Sequence, residues 1–320
     1  MAKPADAAVT MGQAPNGELV HIESRPSGRT DLVCPFCHTP LLAARGKRVI
    51  HHFRHDGPTC RASQACTAPI PGWDHFTLSL QGAVLEALQA QTHREFIPLL
   101  DRGWPWTKHE RVLAKLEQLG LLQRGYQQRR ELTDTAMVVP GLLTFSAFDE
   151  WLRPRLAQRL VERRTLVEQG EIQGMHLVLE QARQQLLLSS TLYLFELRTA
   201  AGEVIHKIGR TGRAPAQRLA EVIADLQRVY GEPVTGTVLR EIPQAGYLEQ
   251  YALWRYRRAA VAIHTHREYL VLDAGTLRQF KAELTRFERT RAPLSDEEWR
   301  LAAGGALLHA TSAAASLQPD

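Results

Sequence analysis

Cysteines are few in this sequence, and long hydrophobic runs are missing. The four cysteines of the 320 residues all lie between Cys34 and Cys66, too few and too clustered for a disulfide scaffold, so they favour metal binding. No run of 18 apolar residues occurs, and the N-terminus lacks the charged-then-apolar layout of a secretory signal. We therefore expect a soluble, cytoplasmic protein without a membrane partner.

The composition is that of a globular protein with a small excess of positive charge. Hydrophobic residues make up 44% and charged residues 23%, which excludes a wholly disordered, collagenous or coiled-coil chain. The length predicts about two domains, and tails or insertions could make this one or three. The net charge of +5 permits an anionic partner without requiring one, so the placement of the charges must decide.

The character of the sequence changes along the chain, and it predicts a multidomain α+β protein. We expect a disordered tail over 1–30, a Cys/His-rich module over 31–75 and helices with a basic hairpin over 76–145. A helical arm over 146–189 and an alternating strand and helix module over 190–285 should follow. The last segment, 286–320, should hold a short helix near 295–303 and a second disordered tail. The helical arm is a connector or a dimer-forming pair, so a homodimer is possible.

The Cys/His-rich module has the spacing of a structural zinc site. Cys34 and Cys37 form a C-x2-C turn, and His52, His55 and Cys60 follow within reach of a second hairpin. A tight turn presents two thiolates to one ion, and the second element supplies the remaining two ligands of a tetrahedron. We predict one zinc ion bound by the two thiolates and two of the three later residues. Four protein ligands leave no open position for chemistry.

The same module resembles the N-terminal zinc-ribbon-like module of CoiA-type competence proteins. The shared pattern is CPxC, a glycine-containing turn and HFxH, with looser downstream positions. The positions that match are Cys34, Cys37, His52 and His55 in the core, and Cys60 and His75 downstream. The resemblance implies a zinc ribbon over residues 31–75.

A helix followed by a basic hairpin is expected in the middle of the chain. Thr107 and Glu110 have capping-box spacing, and leucines at helical intervals follow. The stretch LEQLGLLQRG…RRELTDTA resembles the recognition helix and wing of winged-helix regulators. That resemblance implies DNA phosphate contacts by Arg124, Arg129 and Arg130. The alternative is a helical spacer whose charges are solvated.

The segment from residue 190 alternates strand and helix patterns. A hairpin is expected over 192–208, a helix from Pro215, a strand over 234–242, a helix over 246–258 and an extended stretch over 264–272. This order resembles the GIY-YIG nuclease domain, in the branch whose second signature reads KIG. The matching residues are Tyr193 for the first signature tyrosine, Lys207-Ile208-Gly209 for the second signature, Arg218 for the helix arginine and Glu249 for the metal-binding glutamate.

The resemblance implies a role for each residue in phosphodiester hydrolysis. Glu249 would hold one Mg²⁺ or Mn²⁺ ion, and Arg218, helped by Arg210 or Arg213, would stabilise the charge of the transition state. Tyr193 would orient or deprotonate the attacking water, and as a base it needs a pKa below the usual value near 10. Lys207 stands where many members of the family carry a second tyrosine.

Basic residues on this module point to DNA as the partner. Arg213, Arg255 and Arg258 are candidates for phosphate contacts, because they flank the predicted signature residues. The sequence therefore predicts a Mg²⁺-dependent DNA endonuclease that a zinc ribbon and a winged helix position on its substrate. The alternative is a DNA-binding regulator or adaptor that does not cut.

Overall fold

The computed structural model describes residues 9–44, 52–58, 60, 83–97, 103, 105–263 and 266–303, and for 23, 128, 266 and 267 only the backbone. Cys66 and His75 lie outside these ranges. The same holds for residues 1–8 and 304–320 of the two predicted tails. None of the helices in the described ranges combines the length and the apolar composition that crossing a bilayer requires.

The N-terminal part is a five-stranded antiparallel sheet. Its strands are β1 (Met11–Gln13), β2 (Leu19–His21), β3 (Gly28–Val33), β4 (Pro40–Ala44) and β5 (His52–His55), in the order β2-β1-β3-β4-β5. The structure differs here from the prediction of a disordered tail over 1–30. Short strands need little apolar surface of their own when they join a sheet, and Ile22 is buried with Leu32, Leu41 and Phe53 in one small core.

The middle of the chain is helical with one hairpin. It comprises α1 (Ala83–Gln89), α2 (Trp106–Gln118), β6 (Leu122–Arg124), β7 (Arg130–Leu132) and α3 (Asp134–Val138). The predicted order of a helix and then a hairpin is present, and β6 pairs antiparallel with β7. The predicted capping box is wrong, because α2 begins at Trp106 after Pro105 and no side chain caps it.

Two long helices follow, α4 (Phe145–Glu168) and α5 (Gly174–Ser189). We predicted a connecting arm, but the structure packs these helices into the body of the protein. Phe148 of α4 stacks on Tyr251 with ring centroids 3.9 Å apart, and the two residues share a core with Leu188 of α5. Their apolar side chains are therefore used within the chain, and a homodimer through this segment stays a prediction.

A second five-stranded antiparallel sheet forms the C-terminal part. Its strands are β8 (Thr191–Thr199), β9 (Val204–Thr211), β10 (Val234–Ile242), β11 (Ala260–Ile263) and β12 (His266–Leu270), in the order β10-β8-β9-β12-β11. The helices are α6 (Pro215–Tyr230), α7 (Glu249–Arg255), α8 (Ala274–Thr290) and α9 (Asp296–Ala302). The hairpin, helix, strand and helix order agrees with the prediction. The short helix predicted near 295–303 is also present, with a capping box between Ser295 and Glu298.

The two faces of this sheet are covered differently. Val222 and Leu226 of α6 pack on the face that carries Tyr193 and Phe195. The other face, with Leu192, belongs to the large core that also holds α4, α5, α7 and α8. Because side chains alternate along a strand, one strand supplies groups to both layers.

Candidate functional site

Three cysteines and one histidine of the N-terminal sheet come together. The ligand atoms of Cys34, Cys37, His55 and Cys60 all lie within 4.8 Å of one another. Cys34 and Cys37 lie in the turn between β3 and β4, where His38 takes a left-handed backbone conformation with φ of 55°. His55 ends β5, which pairs with β4. The ribbon thus brings the two halves of the cluster together.

The cluster has the chemistry of a zinc site. The Sγ atoms of Cys34 and Cys60 are 3.9 Å apart, and Nε2 of His55 is buried without a hydrogen-bond partner among the described residues. A buried ring nitrogen left without a partner is costly unless an ion takes its lone pair. Three sulfurs and one imidazole match the tetrahedral Cys₃His set of structural zinc. The residues therefore fit zinc, and the set leaves no open position.

The surroundings shift the pKa values of the Cys34 and Cys37 thiols in opposite directions. Burial raises the pKa of the Cys34 thiol to about 11, against lowering by nearby backbone N–H groups. Burial also raises the pKa of Cys37, but hydrogen bonding with Thr39 and the other thiols outweighs it and brings the value to about 6. A thiolate at Cys37 is thus available at neutral pH to begin binding a cation.

The structure corrects the predicted ligand set in one respect. His52 is not a member of the cluster, although the sequence placed it in the core of the pattern. His52 and His55 lie three residues apart in one strand, and side chains alternate between the two faces. Phe53 and His55 are buried, whereas Arg54 is exposed. Of the three later residues that the sequence offered, His55 and Cys60 belong to the set and His52 does not.

At the C-terminal sheet, Tyr193 is buried between charged neighbours. It lies on β8 with 2% of its surface exposed, and its ring stacks on Phe195 with centroids 4.0 Å apart. The side chain of Arg218 in α6 interacts with its hydroxyl. Burial raises the pKa of Tyr193, although Lys207 and Arg218 act in the opposite direction. The surroundings of Tyr193 in the protein therefore do not supply the lowered pKa that a role as base requires, and its hydroxyl stays protonated near neutral pH.

Lys207 lies on the same side of the sheet and is fully buried. Its Nζ is 2.5 Å from Oε2 of Glu268 and 4.5 Å from the ring centroid of Tyr269. Glu268 and Tyr269 belong to β12, which pairs with β9 at Lys207. Sequence reasoning missed Glu268, because an acidic residue in a short strand has no local signal that distinguishes it from a solvated one.

Arg218 has a second partner that was not predicted. Its Nη1 is 2.8 Å from Oε2 of Glu221, and Nη1 of Arg213 is 2.7 Å from Oε1 of the same carboxylate. Glu221 follows Arg218 by three residues in α6, so the helix repeat places them together. Arg213 is therefore held beside Arg218, and it stays more than half exposed.

Arg210 and Glu249 form the second half of the site. Nε of Arg210 is 3.1 Å from Oε2 of Glu249, which is the first residue of α7 and is 8% exposed. Burial raises the pKa of Glu249, and Glu268 adds to this, while Arg210 and Lys207 lower it. The electrostatic interaction of Glu249 with Lys207 and Glu268 connects this pair to the group around Tyr193.

The predicted site residues thus form two groups, Tyr193 with Lys207 and Arg218, and Arg210 with Glu249, and the interaction of Lys207 with Glu249 connects them. Residues 190–285 match the T5orf172 domain. This family is associated with nuclease-like activity and suggests interaction with DNA. The match covers well under half of the chain, and it is not to the GIY-YIG domain itself. No curated protein and no solved structure matches the chain.

The candidate DNA contacts of the T5orf172 domain divide into two kinds. Arg258 is exposed, as a phosphate contact requires. Arg255 is turned inward, with Nη1 2.9 Å from Oε1 of Glu283, and it also donates to the carbonyl oxygen of Leu143. Its guanidinium is satisfied inside the protein. The sequence did not reveal Glu283 as its partner, and a contact of Arg255 with DNA stays a prediction.

Outside the T5orf172 domain, the hairpin of β6 and β7 presents its arginines at the surface. Nη1 of Arg129 is 3.1 Å from Oε2 of Glu95, and Nε of Arg130 is 2.9 Å from Oε1 of Glu117. Arg124 is exposed, and Tyr126 at the tip is 81% exposed. Such exposed ion pairs contribute little to stability and are easily exchanged for other anions. The hairpin thus remains accessible to DNA.

Proposed function

We propose that this protein is a metal-dependent DNA endonuclease with a GIY-YIG-type site in its T5orf172 domain. The observation that carries the proposal is the convergence of Tyr193, Lys207, Arg218 and the pair Arg210 and Glu249 within the span that matches a nuclease-associated family. Hydrolysis of a phosphodiester needs an oriented water, positive charge beside the phosphoryl oxygens and a ligand for a divalent cation. These residues supply each of these.

Glu249 fits a Mg²⁺ or Mn²⁺ ion by the chemistry of its donor atoms. Its carboxylate is a hard oxygen ligand, and Mg²⁺ is commonly held by one or two carboxylates with waters completing the shell. Burial disfavours the ionised form of Glu249, so a cation beside it would stabilise that form. A bound Mg²⁺ would polarise the phosphoryl oxygens of the substrate.

The protein's own residues then divide the remaining tasks. Tyr193 keeps its proton near neutral pH, so its hydroxyl orients the attacking water and does not act as the base. Arg218 places a positive charge beside that hydroxyl, where negative charge develops on the phosphate. Arg210 holds the Glu249 carboxylate in place at 3.1 Å.

The other two modules position the DNA. The Cys₃His cluster fits a structural zinc ion, which stabilises the sheet segments that carry its ligands. The hairpin of β6 and β7 carries exposed arginines, as a winged-helix wing does. Contacts of Arg124, Arg129 and Arg130 with phosphates would give affinity without sequence preference. The T5orf172 domain then cleaves the DNA that is held there.

A cleavage assay with matched variants tests the proposal. The full chain is incubated with labelled single-stranded, duplex and branched DNA under Mg²⁺, Mn²⁺ or EDTA. We expect DNA fragments with either ion and none with EDTA. Glu249→Gln should cleave at least about a hundredfold more slowly, which is the loss in rate seen when a group that stabilises transition-state charge is removed. Glu288→Gln removes an exposed, ion-paired carboxylate of α8 and should keep the wild-type rate.

The same assay tests Tyr193 and the alternative function. Tyr193→Phe keeps the ring that stacks on Phe195 and removes only the hydroxyl, so a large loss of rate assigns the hydroxyl to the chemistry. A wild-type rate would return Tyr193 to the core. If every DNA stays intact while the protein still binds it, the nuclease proposal fails and a DNA-binding adaptor takes its place.

A further inference from the structure

Glu268 is the carboxylate that touches the buried lysine of the proposed site. Oε2 of Glu268 lies 2.5 Å from Nζ of Lys207, a distance at which an ammonium donates a charge-assisted hydrogen bond. The side chain of Lys207 is 2% exposed and that of Glu268 is 42% exposed. One end of the pair is therefore inside the protein and the other end is open to solvent.

Because Lys207 is buried, its contact with Glu268 determines whether its side chain is an ammonium or a neutral amine. Burial alone favours the neutral amine, because a low-dielectric interior penalises the ammonium. The charged and titratable groups that act on Lys207 are Glu268 and Tyr269 of β12, Tyr193 of β8 and Glu249 of α7. The tyrosines are neutral near pH 7, and Glu249 is engaged with Arg210 at 3.1 Å. Glu268 is thus the anion in direct contact with the ammonium.

The charge of Lys207 matters for the chemistry because of where it lies. The ammonium interacts electrostatically with Tyr193, the residue whose hydroxyl orients the water in the proposed mechanism. A cation there would stabilise negative charge on the phosphoryl oxygens, and a neutral amine would not. The residue that preserves the ammonium therefore affects the rate without touching the substrate.

We propose that Glu268 is a positioning residue of this site, which keeps Lys207 in the ammonium form and holds its Nζ against the ring of Tyr269. This inference rests on the proposed nuclease function. In the wild-type protein, burial lowers the pKa of Lys207, but Glu268 together with Tyr193 and Tyr269 outweighs this effect, so the pKa lies above its usual value. Without the carboxylate, the buried amine would lose its proton within the working pH range of an enzyme.

The pH dependence of cleavage under Mg²⁺ tests this role. We expect Glu268→Gln to move the alkaline limb of the rate profile down by at least about one pH unit, because the amide cannot stabilise the ammonium by charge. Lys207→Arg in the Glu268→Gln background should restore the limb, since a guanidinium does not deprotonate there. Glu288→Gln is the control, with similar exposure and an ion pair elsewhere.

A second measurement keeps the inference independent of cleavage. The side-chain amines of ¹⁵N-lysine-labelled protein are titrated by NMR in the wild type and in Glu268→Gln, with Lys207→Arg used to assign the signal. A lower pKa of Lys207 in the variant supports the inference even if no DNA is cut. An unchanged pKa, or a rate that falls equally at every pH without rescue by arginine, overturns it.

If Glu268→Gln does not fold, Glu268→Asp serves instead. Aspartate keeps the charge and shortens the side chain by one methylene, so it should hold the proton on Lys207 but direct it less well. We then expect a slower rate with the wild-type alkaline limb. A wild-type rate for the aspartate variant would contradict a positioning role.

Discussion

Gly209 lies directly opposite Tyr193 in the pairing of β8 and β9, and the tyrosine hydroxyl occupies the space that a side chain at Gly209 would need. A Cβ built at Gly209 would lie 2.3 Å from the hydroxyl oxygen and 2.5 Å from Cζ. The ring cannot move aside easily, because it stacks on Phe195. The glycine of the KIG signature therefore makes room for the signature tyrosine.

This relationship predicts the effect of Gly209→Ala. The added methyl group should destabilise the fold by about 1–3 kcal/mol, as overpacking of a dense interior does, and should displace the Tyr193 hydroxyl. Urea unfolding measures the first effect, and cleavage of DNA by the remaining folded protein measures the second. Gly174→Ala, where no atom lies within 4 Å of the new Cβ, is the control. Equal stability of the two variants would contradict the close approach.

The metal cluster predicts which substitutions remove zinc. Wild-type protein should carry about one zinc ion per chain, and Cys60→Ser should lose most of it, because one of the four ligands is gone. His52→Ala should keep the ion, since His52 lies outside the cluster. Metal analysis of the purified variants distinguishes the two. Loss of zinc from His52→Ala together with retention by Cys60→Ser would refute the assignment.

The hairpin of β6 and β7 predicts a change in the salt dependence of DNA binding. Arg129→Ala with Arg130→Ala should reduce the slope of log K against log salt by up to about two for unrelated sequences, because fewer counterions are released. Glu95→Gln with Glu117→Gln should have the reverse effect on affinity, since it removes the carboxylates that occupy these arginines. Fluorescence anisotropy at several salt concentrations measures both. Unchanged slopes would exclude the hairpin from the interface.

The buried carboxyl group of Asp149 predicts that replacing it with a neutral amide stabilises the protein at neutral pH. Its pKa is raised, chiefly by burial, even though Tyr247 donates a hydrogen bond to it at 2.5 Å and Arg153 lies 3.7 Å away. A carboxyl with a raised pKa is ionised more readily in the unfolded chain, so its contribution falls as pH rises from the unfolded value toward the folded one. Asp149→Asn keeps an oxygen for Tyr247 and should be more stable than the wild type at pH 7.

The same reasoning gives the outcome at low pH. Below the unfolded pKa of about 3.9, both states of the wild type are protonated, so the advantage of Asp149→Asn should disappear. Thermal unfolding of both proteins at pH 7 and near pH 3.5 measures the difference. An advantage that persists at low pH would show that burial of the charge is not its cause.

Local spacing in the sequence accounts for the parts that were predicted well. The two cysteines of the C-x2-C turn, the strand and helix order over 190–285 and the helix with Ser295 as its cap all depend on residues a few positions apart. Turn geometry, strand alternation and helix capping act over that distance. The amino-acid sequence therefore determined these elements by itself.

Tertiary packing decided what lies between residues that are distant in the chain. Lys207 and Glu268 are 61 positions apart, and Tyr247 and Asp149 are 98 apart. Such contacts pair Glu268 with Lys207 and turn Arg255 inward. They also pack α4 and α5 into the common core. A charged residue has the same local pattern whether it is solvated or paired in the interior, because its environment is set by elements that the chain brings together only on folding.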